Sequence, residues 1–134
     1  MLASREEILP VRADADVVAV RQRVRNRAIE QGFSLVDQTK IVTAASELAR
    51  NVLVHGGGGE MRIEMLNNGS RKGVKLTFED NGPGIPDVSL AMRDGFSTGG
   101  GLGLGLSGAK RLSNEFEVVS AVGKGTRVTI ARWK

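Results

Sequence analysis

An acidic residue followed at once by glycines is the first chemical signal in this sequence. Val74, Leu76 and Phe78 alternate with other residues, which predicts a half-buried strand, and Asp80 ends that stretch. The chain continues Asn-Gly-Pro-Gly-Ile-Pro over residues 81–86, which predicts a stiff turn. A carboxylate placed there can accept a hydrogen bond from an amino group, above a rigid floor for a flat base. Asp-Asn-Gly is also an ordinary turn sequence, but the prolines favour the binding interpretation.

A glycine-rich stretch further along the chain is the second signal. It leads directly into a predicted helix, and glycine N–H groups at a helix N-terminus are open to phosphate oxygens. Residues 103–108 also match G-x-G-x-x-G, but no strand directly precedes them, so a dinucleotide fold is not indicated. The residues predicted to bind phosphate are Gly99, Gly100, Gly101, Leu102, Gly103, Leu104 and Gly105.

Two polar residues on the second predicted helix complete a possible nucleotide site. Glu47 and Asn51 share one face with His55, because residues four apart are neighbours on a helix. The amide oxygen of Asn51 is a hard ligand that suits Mg²⁺, which keeps waters and phosphate oxygens as its other ligands. Glu47 is then free to take a proton from a hydroxyl or water that attacks a γ-phosphate. In isolation the pair would indicate a plain exposed helix face, and only the two glycine motifs favour the site.

Thr126 and His55 are two further candidates for the site. Thr126 follows a Gly-Lys-Gly hairpin turn at residues 123–125 and could point its hydroxyl at the nucleotide. His55 is the single histidine, so a site built from several histidines is excluded. Its place at the end of a predicted helix favours a C-capping role over a catalytic one.

The periodicity of apolar residues predicts the elements that position these groups. The first is a strand at 6–12, followed by a helix that Asp14 or Asp16 can cap and that runs to about Gln31, and by a second helix at 35–55. Next come strands around 61–65 and 74–78, joined by a hairpin turn at 67–70, and a loop at 81–101. A helix at about 103–114 and strands at 116–121 and 127–133 complete the order. The predicted inner faces are Val17, Val18, Val20, Val24 and Ile29 on the first helix, and Ile41, Ala45, Leu48 and Val52 on the second. This order predicts an α+β fold, a two-layer α/β sandwich with a mixed, mostly antiparallel sheet covered on one face by helices.

Composition narrows the class of protein. A length of 134 residues predicts one domain, residues 1–134, and the absence of cysteine excludes disulfides and thiolate metal sites. No apolar run is long enough to span a bilayer, and the first residues lack a signal-peptide core, which predicts a cytoplasmic protein without a membrane partner. The net charge of +4 is mild and aromatic residues are few, so a nucleic-acid partner is not predicted.

The motifs together resemble the N, G1, G2 and G3 boxes of the GHKL ATPases. This superfamily includes DNA gyrase, heat-shock chaperones and histidine kinases, which share the Bergerat ATP-binding fold. Within it, residues 46–51, 82–87, 94–98 and 110–112 with 115–116 are similar to the small RsbT-type serine/threonine kinases of bacterial stress signalling. Ser107 departs from that subgroup, where proline is expected, and His55 is closer to the anti-sigma kinases. The segments that match the four boxes are Glu47-x-x-x-Asn51, Asp80-x-Gly82-x-Gly84, Gly99 to Gly105 and Gly125-Thr126.

The resemblance implies a role for each matching residue. Asp80 would bind the amino group of adenine in ATP, with Thr126 in the same network. Asn51 would hold the Mg²⁺ that bridges the phosphates, and Glu47 would be the general base. The first glycine motif would form the turn beneath the base, and the second would form the phosphate cradle of an ATP lid at about residues 81–105.

The resemblance also implies partners. RsbT-type kinases phosphorylate a Ser or Thr of a STAS-domain antagonist protein and can then activate a PP2C-type phosphatase by binding it. The alternative is an anti-sigma factor that sequesters a sigma factor and phosphorylates its antagonist. A third possibility is an ATP-binding regulator without useful turnover. The predicted docking surface for the acceptor protein, also interpretable as a merely solvated helix face, consists of Arg21, Arg23, Arg25 and Arg27.

Overall fold

The computed structural model describes residues 2–85 and 106–134, which form five strands and three helices. The order of elements agrees with the predicted one, although most boundaries move by one or more residues. The part of the last predicted helix before Leu106 lies outside the described residues. In chain order the elements are β1 (Leu2–Val11), α1 (Asp14–Glu30), α2 (Leu35–Val54), β2 (Gly59–Asn67), β3 (Lys72–Asp80), α3 (Leu106–Arg111), β4 (Glu115–Ser120) and β5 (Thr126–Trp133).

The strands form one sheet in the order β1-β2-β3-β5-β4, and each of its described pairings is antiparallel. The predicted hairpin between β2 and β3 is confirmed: Asn68 Oδ1 accepts hydrogen bonds from the backbone of Ser70 and Arg71 at 3.2 and 2.7 Å. Because β3 is central, its last residue, Asp80, lies between Gly59 on β2 and Thr126 on β5.

The start of α1 is capped differently from the prediction. The N-cap residue is Ala13, and the carboxylate of Asp16 accepts hydrogen bonds from the backbone N–H groups of Arg12 and Ala13 at 2.8 and 3.0 Å. The prediction of Val18 and Ile29 on the inner side is wrong, since they are 55% and 53% exposed. Each follows a buried residue, and consecutive helical residues point about 100° apart, so both turn away from the sheet. The buried residues of α1 are Val17, Val20, Val24 and Ala28.

The second helix follows its predicted pattern. Ser34 caps it by accepting a hydrogen bond from the Asp37 N–H at 3.1 Å. The predicted stripe of Ile41, Ala45, Leu48 and Val52 is buried. This stripe packs α2 onto the sheet, so the opposite helix face remains available for polar side chains.

The helices cover one face of the sheet, and the hydrophobic core lies between the two layers. Apolar side chains of the strands point into it, whereas the alternate positions carry charged residues such as Arg62, Glu64 and Lys75. The predicted α+β two-layer sandwich is therefore confirmed. Among the described residues, no helix is long and apolar enough to cross a membrane. The largest buried side chains contributed by the sheet are Phe78, Met61, Ile63, Leu76 and Ile130.

The arginines of α1 are mostly engaged within the molecule. Arg23 and Arg27 both form ion pairs with Glu7 on β1, and Arg27 Nε lies 2.9 Å from Glu7 Oε1. Arg25 donates a hydrogen bond to the side chain of Gln38 at 3.3 Å. These ion pairs hold α1 against β1, which is an edge strand of the sheet. Of the four arginines of the predicted docking surface, Arg21 is exposed, whereas the other three are half-buried.

A half-buried arginine of β5, Arg132, joins the start of α2 to the residue that follows α3. Arg132 donates to the carbonyl oxygen of Leu112 at 2.9 Å and to Asp37 Oδ1 at 2.7 Å. The hydrogen bond from Arg132 holds the pKa of Asp37 below its usual value. This clasp fixes the position of α3 relative to the sheet.

The clasp predicts a stability loss for Arg132→Met, which keeps an apolar stem but leaves the Leu112 carbonyl and the Asp37 carboxylate without their partner. We expect the free energy of unfolding, measured in urea, to fall by about 1–3 kcal/mol. The matched control is Arg127→Met on the same strand, because Arg127 is exposed. It should change the free energy by no more than about 0.5 kcal/mol. Equal effects in the two variants would contradict a role for the clasp.

The same pair predicts a pH dependence. The pKa of Asp37 is lowered from 3.8, so its ionised form stabilises the folded state above that pH, and the stabilisation disappears as the pH falls through the lowered pKa. The stability difference between the parent and Arg132→Met should therefore shrink in strong acid. Urea titrations repeated from neutral pH downwards would measure it.

Candidate functional site

A cavity of about 290 Å³ opens between the second half of α2 and the ends of β3 and β5. Its walls are apolar, and polar groups converge at a few places. A pocket of this kind suits a flat, largely apolar ring whose edge carries polar atoms. The apolar lining comprises Leu48, Val52, Val54, Phe78, Pro83, Ile85, Leu106 and Val128. The polar lining comprises Asn51, His55, Asp80 and Thr126.

The carboxylate of Asp80 is half-buried at this cavity. Burial raises the pKa of Asp80, while hydrogen bonds from the backbone N–H groups of Gly82 and Thr126 and the nearby His55 partly oppose the shift. The N–H of Gly82 lies 2.9 Å from Asp80 Oδ1. A partly desolvated carboxylate with lone pairs left over is a strong acceptor for an N–H group of a ligand.

Two glycines allow the backbone to approach this carboxylate. A Cβ atom on Gly56 would lie 2.3 Å from Asp80 Cγ, and one on Gly82 would lie 2.7 Å from the Cα of Gly56. A side chain on Gly56 would push Asp80 out of place, and one on Gly82 would push against the backbone of Gly56. Gly56, which directly follows the helix predicted at 35–55, was not among the residues predicted to form the site. The available signal was the run of four glycines at 56–59, because one glycine is enough to end a helix.

Two more glycines hold neighbouring turns together. Gly84 (φ +80°) and Gly125 (φ +78°) are in the left-handed region, and a Cβ on either would lie 2.1 Å from a backbone oxygen. The oxygens belong to Ala121 for Gly84 and to Asp80 for Gly125. The Gly123 N–H also donates to the carbonyl of Pro83 at 2.8 Å. The turn after β3 and the β4–β5 turn therefore form one rigid unit; contact of this unit with a base stays a prediction.

A serine behind the cavity organises this unit. Ser120 Oγ accepts a hydrogen bond from the Ile85 N–H at 2.8 Å and lies 2.9 Å from Thr126 Oγ1. Ser120 Oγ also donates to the carbonyl of Gly125 at 3.0 Å. Sequence reasoning missed Ser120. The available signal was its place two residues after Val118, which makes it a polar residue at an inward position of β4.

The structure brings Asn51 to the cavity but places Glu47 elsewhere. Asn51 is half-buried, lines the cavity and accepts the His55 N–H at its backbone oxygen at 2.9 Å. Glu47 is exposed one helical turn earlier, and among the described residues it is not part of the lining. His55 is the C-cap residue of α2, as predicted, and it also lines the cavity.

The described residues contain no cluster of three or more His, Cys, Asp or Glu side chains that could hold a metal ion. An amide oxygen is a hard ligand of the kind that Mg²⁺ takes, together with phosphate and water oxygens. The amide oxygen of Asn51 suits such a cation. The predicted phosphate-binding residues Gly99 to Gly105, and most of the predicted lid, lie outside the described residues.

Comparison with known proteins identifies the family of the chain. Residues 36–134 match the family described as histidine kinase-, DNA gyrase B-, and HSP90-like ATPases. The chain belongs to this ATPase family. A histidine kinase domain from a blue-light activated histidine kinase of Erythrobacter litoralis has a similar fold, with a TM-score of 0.50 at 19% identity. That similarity covers 92% of this chain, which spans 60% of the length of that structure.

Within the family, the similarity extends to small signalling kinases. The chain is 52% identical to the serine/threonine-protein kinase RsbT of Bacillus subtilis, over 88% of this chain and 89% of that protein. It is 34% identical to an anti-sigma F factor of a Thermoanaerobacter species, over 69% of this chain and 68% of that protein. The predictions of an ATP-using serine/threonine-protein kinase and of a GHKL fold are confirmed by these matches.

The contact between Gly56 and Asp80 yields a prediction for nucleotide binding. Gly56→Ala should displace the Asp80 carboxylate and lower the affinity for ATP by about tenfold, since overpacking costs about 1–3 kcal/mol. Calorimetric titration with a non-hydrolysable ATP analogue measures the loss. The matched control is Gly108→Ala on α3, where a Cβ meets no atom within 4 Å. If both variants bind like the parent, the close approach to Asp80 does not matter for binding.

Proposed function

We propose that this protein is an ATP-dependent serine/threonine-protein kinase of a bacterial partner-switching pathway, and that its substrate is a STAS-domain antagonist protein. The observation that carries the site assignment is one cavity lined by both the desolvated carboxylate of Asp80 and the amide of Asn51. An acceptor for a base and a ligand for a phosphate-bound cation are then within reach of one nucleotide. The chain is proposed to act as one domain, residues 1–134, in the cytoplasm.

The base end of the proposed site is built around Asp80. Its carboxylate is held by the N–H groups of Gly82 and Thr126, and it retains lone pairs for a further donor. The amino group of adenine is such a donor. Thr126 lines the same end of the cavity, and the apolar walls formed by Phe78 and Val128 suit the faces of a purine.

The phosphate end is proposed to involve Asn51. When bound there with the phosphates, Mg²⁺ would neutralise the charge that develops on the transferred phosphoryl group. The role of Asn51 is to offer an amide oxygen at a fixed place on α2, next to the cavity. We assign the contacts with the phosphate oxygens to the backbone of residues 99–105.

Glu47 is proposed to be the general base. It lies one helical turn from Asn51 and is exposed, so an acceptor protein can reach it. The Glu47 carboxylate takes the proton from the hydroxyl of the acceptor Ser or Thr. At the same time, the oxygen of that hydroxyl bonds to the γ-phosphorus. The bond from that phosphorus to the β–γ bridging oxygen breaks, and ADP leaves.

The partner assignment rests on the relatives. The name of the Bacillus subtilis relative supports a serine or threonine of a protein as the acceptor, and the anti-sigma F factors support a place in sigma-factor regulation. We propose a STAS-domain antagonist as the substrate and a PP2C-type phosphatase as a second binding partner. The alternative is an anti-sigma factor that sequesters a sigma factor. The matches to anti-sigma F factors and the position of His55 at the cavity are the observations that support this alternative. Of the four arginines predicted to form the docking surface for the acceptor protein, we propose only Arg21 as a contact with that protein.

Two substitutions on α2 should separate the proposed roles. Glu47→Gln is expected to bind ATP with Mg²⁺ like the parent while phosphoryl transfer falls by about 10²–10⁴-fold, the usual loss without a general base. Asn51→Ala is expected to lose Mg²⁺-dependent ATP binding and transfer together. Calorimetry measures the Mg²⁺-dependent binding of ATP, and the transfer of labelled phosphate to a STAS-domain protein measures the rate of phosphoryl transfer.

The matched control for both variants is Thr43→Ala, which is exposed on the same helix. It should bind ATP and transfer phosphate at parental levels. Equal loss of ATP binding in Glu47→Gln and Asn51→Ala would show that Glu47 serves binding rather than proton transfer.

The partner assignment predicts the result of a three-way capture experiment. The immobilised protein with ATP and Mg²⁺ should phosphorylate an added STAS-domain protein on a Ser or Thr, located by mass spectrometry. After release of the STAS protein, it should bind a PP2C-type phosphatase and raise its activity. Stable retention of a sigma factor instead would favour the anti-sigma alternative, and ATP binding without any labelled product would indicate a regulator without turnover.

A further inference from the structure

The hydroxyl of Ser120 contacts three groups behind the cavity. It lies 2.8 Å from the backbone nitrogen of Ile85, 3.0 Å from the carbonyl oxygen of Gly125 and 2.9 Å from Thr126 Oγ1. Ile85 and Thr126 belong to the cavity lining, whereas among the described residues Ser120 does not. Any influence of this hydroxyl on a bound base must therefore pass through its neighbours.

Counting protons fixes the direction of these hydrogen bonds. A serine hydroxyl has one proton to donate and two lone pairs that accept. The carbonyl of Gly125 can only accept, so it takes the Ser120 proton, and the N–H of Ile85 can only donate, so it occupies one lone pair. The second lone pair is left for the proton of Thr126. This is the one assignment in which all three contacts carry a proton.

The assignment determines what Thr126 offers to the cavity. With its proton directed at Ser120, the Thr126 oxygen presents only lone pairs. Asp80, its partner in the β3–β5 register, presents a carboxylate at the same cavity. A base edge that faces two acceptors must bring donors. The 6-amino group of a purine brings two N–H bonds, whereas a 6-oxo group would place a third acceptor against them.

We propose that Ser120 is a positioning residue that sets the polarity of the Thr126 hydroxyl and so makes the site select 6-amino over 6-oxo purine nucleotides. The inference rests on the proposed function, in which this cavity binds a purine nucleoside triphosphate. Ser120 acts at a distance from the base, and its effect is on selectivity rather than on binding in general.

The test compares ATP with inosine triphosphate, which differs at the 6-position and at N1. In Ser120→Ala the Thr126 proton has no partner behind the cavity and is free to turn towards a 6-oxo group. We expect the preference for ATP over inosine triphosphate, as a ratio of dissociation constants from calorimetry on the full chain, to fall by about three- to tenfold. Ser120→Thr keeps a hydroxyl and should retain the parental ratio.

The matched control is Ser113→Ala. The Ser113 hydroxyl also donates to a backbone carbonyl, that of Ala109 at 2.7 Å, but it lies at the end of α3. Its removal should leave the ratio at the parental value. Ser120→Cys keeps the shape of serine but replaces the oxygen with sulfur, a larger atom and a weaker acceptor for the Thr126 proton, and it carries the same expected fall in the ratio where the alanine variant does not fold.

Thr126→Val separates positioning from a general structural role. In that background no hydroxyl proton can turn to the base, so adding Ser120→Ala should leave the ratio unchanged. An equal loss of affinity for both nucleotides in Ser120→Ala would overturn the inference while leaving the proposed function intact. So would a fall in the ratio of the same size with and without Thr126. A parent protein that binds neither nucleotide would overturn the proposed function and the inference with it.

Discussion

The half-burial of one carboxylate, that of Asp80, is the constraint on which the cavity depends. Removing an ionised group from water costs free energy, and the raised pKa of Asp80 expresses that cost. The groups that offset it come from three separate places: the Gly82 N–H after β3, the Thr126 N–H on β5, and His55 at the end of α2. The carboxylate is therefore stabilised at the point where the sheet, the turn after β3 and the end of α2 meet.

Close backbone packing is how these elements meet. Around Asp80, glycines lie where a side chain would clash. A Cβ on Gly56 would overlap the Asp80 carboxylate, and one on Gly125 would overlap the Asp80 carbonyl oxygen. Polar backbone groups are thereby brought nearer to the cavity than any larger residue would allow. The resulting surface is rigid where the base is proposed to bind, which lowers the entropic cost of binding.

Much of this arrangement is visible in the sequence, and the reasons for the exceptions are physical. The stripe on α2 and the β2–β3 hairpin are strongly periodic, so their burial and pairing were predictable. On α1 a run of valines obscures the period, and Val18 was wrongly assigned to the core. Ser120 and Arg132 act through partners far apart in the chain. Such contacts depend on the register of the sheet, which no local pattern reveals.

The charged outer face of the sheet has a consequence for the fidelity of folding. In β3 the core positions Val74, Leu76 and Phe78 alternate with Lys75 and Glu79 on the open face. A slip of one residue in the pairing of β3 would bury these charges and expose the apolar side chains, so misaligned chains are strongly disfavoured. The same slip would turn the carboxylate of Asp80 to the wrong side of the sheet. The cavity beside Asp80 therefore forms only in the strand register that also buries the core.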